Sequence, residues 1–181
     1  MAIRNVAAMG NPVLRKKASP VPPKAISTPE IQGLLQDMVD TMFEYDGLGL
    51  AAPQVHESLQ IVVMMWDFDK GKKPRLVFLI NPEIKILTEE TSEFWEGCLS
   101  VPGLRGLVKR ATKIHVKALD EKGKDLDFIA EGFAATVIQH ECDHLDGTLY
   151  VDRIEDTTKF SFNKEYSRYH TDEGDGDGGV E

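Results

Sequence analysis

The stretch EGFAATVIQHECDHLDG, residues 131–147, is apolar around most of its circumference up to His140 and then turns into histidines and acids. Such a pattern predicts a helix buried in the middle of a domain. Its polar end is then held inside the molecule, where polar side chains need a partner or a chemical task. The rest of the chain has to supply the layers that enclose it.

Those layers are legible in outline. STPEIQGLLQDMVDTMFEYDG (27–47) predicts a second helix, with Ser27 and Glu30 at capping-box spacing and Pro29 where an early helical proline is tolerated. Ile31, Leu34, Leu35, Met38, Val39, Met42 and Phe43 form one apolar stripe, a core face, and Gly47 is the expected stop. β-like segments follow at 59–66, 75–82, 84–87 and 104–110, and TKIHVKALD and DLDFIA flank the turn EKGK as a hairpin. A third helix is expected over about 157–169. Sheets between segregated helices predict an α+β domain. Residues 1–170 read as one catalytic domain, and the acidic, Gly-rich tail 171–181 reads as disordered.

The net charge of −9 argues against direct nucleic-acid binding, which needs clustered Lys and Arg. No run approaches the length that spans a membrane, and MAIRNVAAMGNPVLRK lacks the pattern of a signal peptide. A cytoplasmic protein is expected. For Cys98 and Cys142, metal binding or a free thiol is then favoured over a disulfide.

On a helix, His140 and His144 lie one turn apart and differ by about 40° around the axis, so both can grip one ion. Glu141, about 100° from His140, sits off the ligand face, where a general base for an activated water belongs. Cys142, about 200° away, faces elsewhere. A catalytic site needs a third protein ligand and an open position. Downstream the support is weak: a metzincin-type extension accepts Gly147 but meets Tyr150 at the next ligand slot, and a thermolysin-like glutamate has only Glu155, Glu165, Glu173 and Glu181 as candidates. Upstream, FWEGCLSVPG (94–103) offers Cys98, with Gly97 permitting close backbone approach. In GLGLAAPQV (47–55), Gln54 is an amide donor able to serve an oxyanion or to brace its loop. A zinc endopeptidase remains an alternative. So does a scaffold with a structural zinc, for which His56, His115 and Cys142 are the spare ligands.

GLGLAAPQ, EGCLS and HECDH, in that order and with fitting separations, resemble the three motifs of the peptide deformylases. GNPVLR (10–15) and DGTLYVDRI (146–154) also look like that family, so the resemblance covers roughly residues 3 to 160. It implies an α+β fold with the motif-bearing helix enclosed by antiparallel β-sheets. The activity it implies is metal-dependent hydrolysis of the N-formyl group from N-formylmethionyl peptides, releasing formate. Cys98, His140 and His144 would hold one divalent metal ion per chain. Fe(II) is the usual metal, and Ni, Co or Zn can substitute. Glu141 would act as general base to a metal-bound water and then as proton donor. The Gln54 side chain and the Leu99 N–H would stabilise the oxyanion, and backbone groups of Leu48, Gly49 and Gly97 would pair with an extended peptide. Phe133, Thr136 and Val137, about one turn or two before His140, are expected to line the methionine pocket. Glu96 is expected to pair with Arg105 or Arg110 and fix the Cys98 loop. The ribosome is the implied transient partner, and a monomer is expected.

Overall fold

The computed structural model describes residues 2–66, 71 and 73–171. From residue 172 on, the tail whose disorder was expected lies outside the described residues.

A five-stranded antiparallel sheet separates two helices. Its strands are β1 (Gly49–Ala51), β2 (Ile61–Trp66), β3 (Arg75–Ile86), β6 (Lys113–Leu119) and β7 (Asp125–Glu131), in the order β1-β2-β3-β6-β7. The alternation of side chains along β2 divides the core. Ile61 and Val63 join the layer under helix α1 (Pro29–Glu44), while Val62, Met64 and Trp66 join the layer under helix α2 (Phe133–Leu145). Lying between two helices, β2 is apolar on both faces.

A second antiparallel sheet, β4 (Thr91–Glu96), β5 (Leu104–Ala111) and β8 (Phe160–Phe162), covers the other side of α2. Gln139 fastens the two together. Its Nε2 donates to the Ala111 and Ala135 carbonyls (2.9 Å each), and the Ala111 N–H donates to its Oε1 (3.3 Å). Ile138, fully buried, contributes about 1.5–3 kcal/mol of hydrophobic stabilisation. The expected enclosure of the motif-bearing helix by antiparallel sheets is what the fold shows. No helix among the described residues is long and apolar enough to cross a membrane.

Several local expectations are corrected. Thr28, not Ser27, is the N-cap of α1, so Ser27 and Glu30 fall out of capping register and no side-chain cap forms. At the other end Asp46, not Gly47, takes the left-handed conformation (φ 54°), with Gly47 N–H bonding the Met42 carbonyl (2.9 Å) and Asp46 N–H the Phe43 carbonyl (3.2 Å). The segments at 75–82 and 84–87 are one strand, β3, irregular between Ile80 and Glu83. There Asn81 sits at φ 52° and brackets the Val21 backbone with both ends of its amide. The helix expected over 157–169 is a 3-10 turn (Thr157–Lys159), then β8, then a shorter helix α3 (Asn163–Tyr169). Leu104↔Phe162 and Gly106↔Phe160 pairing adds β8 to the sheet at residues that helical spacing had claimed. Strand β4 was not anticipated.

Candidate active site

Helix α2 ends one residue after its second histidine. Gly147 (φ 74°) and Thr148 turn back to bond the carbonyls of His144 and Asp143 (3.3 and 2.9 Å), and a side chain on Gly147 would meet the Arg15 backbone at 2.8 Å. His144 is thereby fixed at the end of the helix, 1% exposed. From the opposite side the loop after β4 brings in Cys98, whose Sγ lies 3.3 Å from His144 Nε2. One ligand atom from each of Cys98, His140 and His144 lies within 4.8 Å of the other two.

The spare ligands do not join them. His115 Nε2 is 2.6 Å from Asp127, Cys142 packs into the core between α2 and the five-stranded sheet, and His56 caps the 3-10 turn Ala52–Val55. Among the described residues the group has three protein ligands, as an open catalytic site requires. One thiolate and two imidazoles fit a divalent transition ion. Burial, with the charges of His140 and Arg110, holds His144 well below the usual imidazole range.

Glu96, the last residue of β4, orients His140. Its Oε2 is 2.8 Å from His140 Nδ1, which leaves Nε2 for the cluster. Arg110 on β5 clamps the same carboxylate with two bonds, Nε at 2.7 Å and Nη2 at 2.8 Å, and reaches Asp143 on α2 with Nη1 (2.6 Å). Burial alone would raise the Glu96 carboxyl. Hydrogen bonds from Arg110 and His140, together with their charges, reverse this and hold it at about 2. Of the two arginines considered, Arg110 is therefore the partner, and it is buried rather than solvated. Arg105 turns to Tyr166 on α3 instead, with its guanidinium carbon 5.1 Å from the ring centre.

Gln54 is held at both ends. Its Oε1 accepts the Ala51 N–H (2.8 Å), which turns Nε2 towards Cys98 Sγ (3.5 Å) and Ser100 Oγ (3.3 Å). The amide is 2% exposed, and its donor end points at the cluster. Glu141, 5% exposed, lines the same pocket with Oε2 lacking a hydrogen-bond partner among the described residues. Burial pushes its carboxyl up to about 7; the Glu96 charge adds to this while His140 and Arg110 oppose it.

β1 is an edge of its sheet, and this edge borders the pocket. Leu48 spends its carbonyl on the Met65 N–H (2.8 Å). By antiparallel alternation Gly49, opposite Met64, directs its N–H and C=O outward to the open edge. Leu99 and Gly97 flank Cys98 across the pocket, and Phe133, Thr136 and Val137 form its wall on α2. Of the residues assigned a metal, catalytic or substrate role from the sequence, the pocket brings together all but His144. Two residues went unassigned. Trp95 also lines the pocket, and Ser100, fully buried, accepts from Gln54. Ser100 stands inside the EGCLS motif, whereas Trp95 lies just outside it and no motif marks it as a pocket residue.

Residues 3–160 match the family model of polypeptide deformylase. The peptide deformylase of Leptospira biflexa is 44% identical over 91% of this chain and 95% of its own length. Peptide deformylase 2 of Ralstonia nicotianae is 45% identical over 94% and 99%. A Met-Ala-Ser-bound crystal structure of a class I type b peptide deformylase from Acinetobacter baumannii superposes with a TM-score of 0.78 at 35% identity, covering 84% of this chain and all of that one. The chain therefore belongs to the polypeptide deformylase family, metal-dependent hydrolases that remove the N-formyl group from nascent peptides.

Proposed function

We propose that residues 1–170 act as one catalytic domain in which Cys98, His140 and His144 hold a single divalent ion, Fe(II), with Ni, Co or Zn able to take its place. When bound, the ion supplies Lewis-acid activation of water and of the formyl oxygen. Glu141 accepts the proton of the attacking water and then delivers it to the departing amine. The Gln54 amide and the Leu99 N–H hold the negative charge that develops on the formyl oxygen. Gly49 and Gly97 pair with the peptide main chain as an added strand would, beside Leu48, and Phe133, Thr136 and Val137 receive the methionine side chain.

The buried Glu141 carboxylate carries this reading. An acceptor oxygen without a protein partner, facing the same pocket as Cys98 and His140, needs a water or substrate group to complete its hydrogen bonding. The Met-Ala-Ser ligand of the Acinetobacter structure has the chemistry of a deformylated product, which supports the same substrate class. The protein is read as a monomer of the cytoplasm that meets nascent chains transiently at the ribosome, binding no nucleic acid directly. The test is formate release from formyl-Met-Ala-Ser. Wild-type protein is expected to be active and Glu141→Ala inactive with its metal retained; wild-type turnover in Glu141→Ala would overturn the assignment.

A further inference from the structure

The loop Cys98–Leu99 is a partition. On one side is the pocket against α2. On the other is a groove of about 380 Å³, lined by Val6, Tyr45, Pro102, Arg105 and Asn163. Two of its lining residues each carry a buried polar atom with nothing to bond. Arg105, 6% exposed, has a buried Nη1 with no hydrogen-bond partner among the described residues, and Asn163 Oδ1 is in the same state. A buried donor and a buried acceptor left unpaired at the rim of a substrate site are costly unless a ligand completes them.

One side chain of the C-terminal helix contacts a lining residue of each compartment. Tyr166 lies with its ring 5.1 Å from that of Trp95, and the Arg105 guanidinium stands 5.1 Å from the same ring. His170 adds a second contact to Trp95 at 4.9 Å. Trp95 is a wall of the α2 pocket, and Arg105 belongs to the groove. The stack Trp95–Tyr166–Arg105 thus runs from one compartment to the other, behind the partition.

We propose that Tyr166 is a positioning residue for substrate: held between Trp95 and Arg105, it sets the outer wall of the side-chain pocket and aims Arg105 Nη1 into the groove. There Nη1 and Asn163 Oδ1 pair with a carbonyl and an N–H of the peptide main chain beyond its first residue. This rests on the formyl-peptide reading above, and it makes α3 part of the binding site. The ring does the positioning, through stacking on an aromatic and a guanidinium, so the phenolic hydroxyl is dispensable.

Formyl-Met-Ala and formyl-Met-Ala-Ser are to be compared by formate release, with kcat and KM separated, for wild type, Tyr166→Ala, Tyr166→Phe and Arg105→Gln. Wild type is expected to favour the longer peptide. Tyr166→Ala and Arg105→Gln should each raise KM for the tripeptide roughly tenfold, the worth of one charge-assisted hydrogen bond, and by less for the dipeptide. Values of kcat should move little, and Tyr166→Phe should behave as wild type. A merely structural role would lower kcat and KM selectivity for both substrates alike and would not be rescued by Phe. The proposal is overturned if wild type does not distinguish the two lengths, or if folded Tyr166→Ala keeps the wild-type preference. If Tyr166→Ala fails to fold, Arg105→Gln decides, and an unchanged length preference overturns the proposal. No formate from either peptide with wild type would instead strike the substrate assignment itself.

Discussion

Gly49 and Glu141 are packed so closely that a methyl group on the Gly49 Cα would stand 2.7 Å from the Glu141 carboxyl carbon and 2.9 Å from its Cγ. The second glycine of GLGLAAPQ is thus set by the carboxylate beside it, at φ outside the left-handed region. A side chain there displaces Glu141 or pushes β1 away, and β1 is the edge on which Gly49 presents its backbone groups. Gly49→Ala is expected to lower kcat for formyl-Met-Ala-Ser on the order of a hundredfold, the usual effect of a displacement near 1 Å at reacting groups. Bound metal should stay at one ion per chain, since no ligand moves. Metal analysis beside the kinetics checks this; loss of the ion along with activity would show that the damage reaches the ligands.

The Glu96–Arg110 clamp gives a prediction about affinity instead. Glu96 holds the His140 ring through Nδ1, and Arg110 holds Glu96 and, through Asp143, the helix that bears both histidines. Removing an outer hydrogen-bond partner of a metal-binding histidine typically weakens metal binding 10- to 100-fold. Glu96→Ala is expected to fall in that range in competition against a chelator. It also leaves Arg110 as a buried, partly unpaired cation, with a loss of about 3–5 kcal/mol in stability. Glu96→Gln, which fills the same space and keeps one oxygen able to accept from Arg110 and His140, should be milder on both counts. Undiminished affinity in Glu96→Ala would end this assignment.

The two cysteines should separate chemically. Cys142 packs in the apolar layer between α2 and the five-stranded sheet, where burial, reinforced by the neighbouring charges of Glu141 and Asp143, pushes its thiol far up. A thiol in that setting is inert. Cys98 faces the pocket. Native protein stripped of metal by a chelator is expected to react with iodoacetamide at Cys98 alone, and metal-loaded protein at neither. Peptide mapping by mass spectrometry checks both, and modification of Cys142 in folded protein would contradict the packing described.

The site was more legible in the sequence than the framework around it, for a physical reason. Chemistry demands particular residue types at fixed helical or loop spacing, so His140, Glu141, His144, Cys98 and Gln54 could be named before their distances were known. The framework is decided by competition between segments. β4 leaves no alternating signature, because Phe94 and Trp95 are adjacent and break the pattern of a half-buried strand; Phe94 packs on Phe133 of α2 while Trp95 faces Tyr166 of α3. β8 falls where the pattern predicts helix, because three residues paired to β5 carry too little periodicity to compete with helical spacing on both sides. Asp46 rather than Gly47 takes the left-handed turn after α1, leaving Gly47 against the Leu99 side chain, where a Cβ would meet Cδ1 at 3.1 Å. Trp95 carries no motif, and only the arrival of α3 from the far end of the chain gives it its place.

The identity of the ion yields the last prediction. A thiolate and two imidazoles bind several first-row metals, with geometry and availability rather than raw affinity selecting among them. Iron(II) is the one of these ions readily oxidised by air, and Cys98, which would hold it, lines the pocket. Nickel-loaded protein has the same ligands and fold without an easily oxidised ion. Iron-loaded enzyme is therefore expected to lose formate-releasing activity in air far faster than nickel-loaded enzyme, at equal metal content at the start. Anaerobic incubation should equalise the two. Mass analysis of inactivated iron protein should locate any added oxygen on Cys98 and none on Cys142. Equal half-lives in air would remove oxidation at this site as the cause of inactivation.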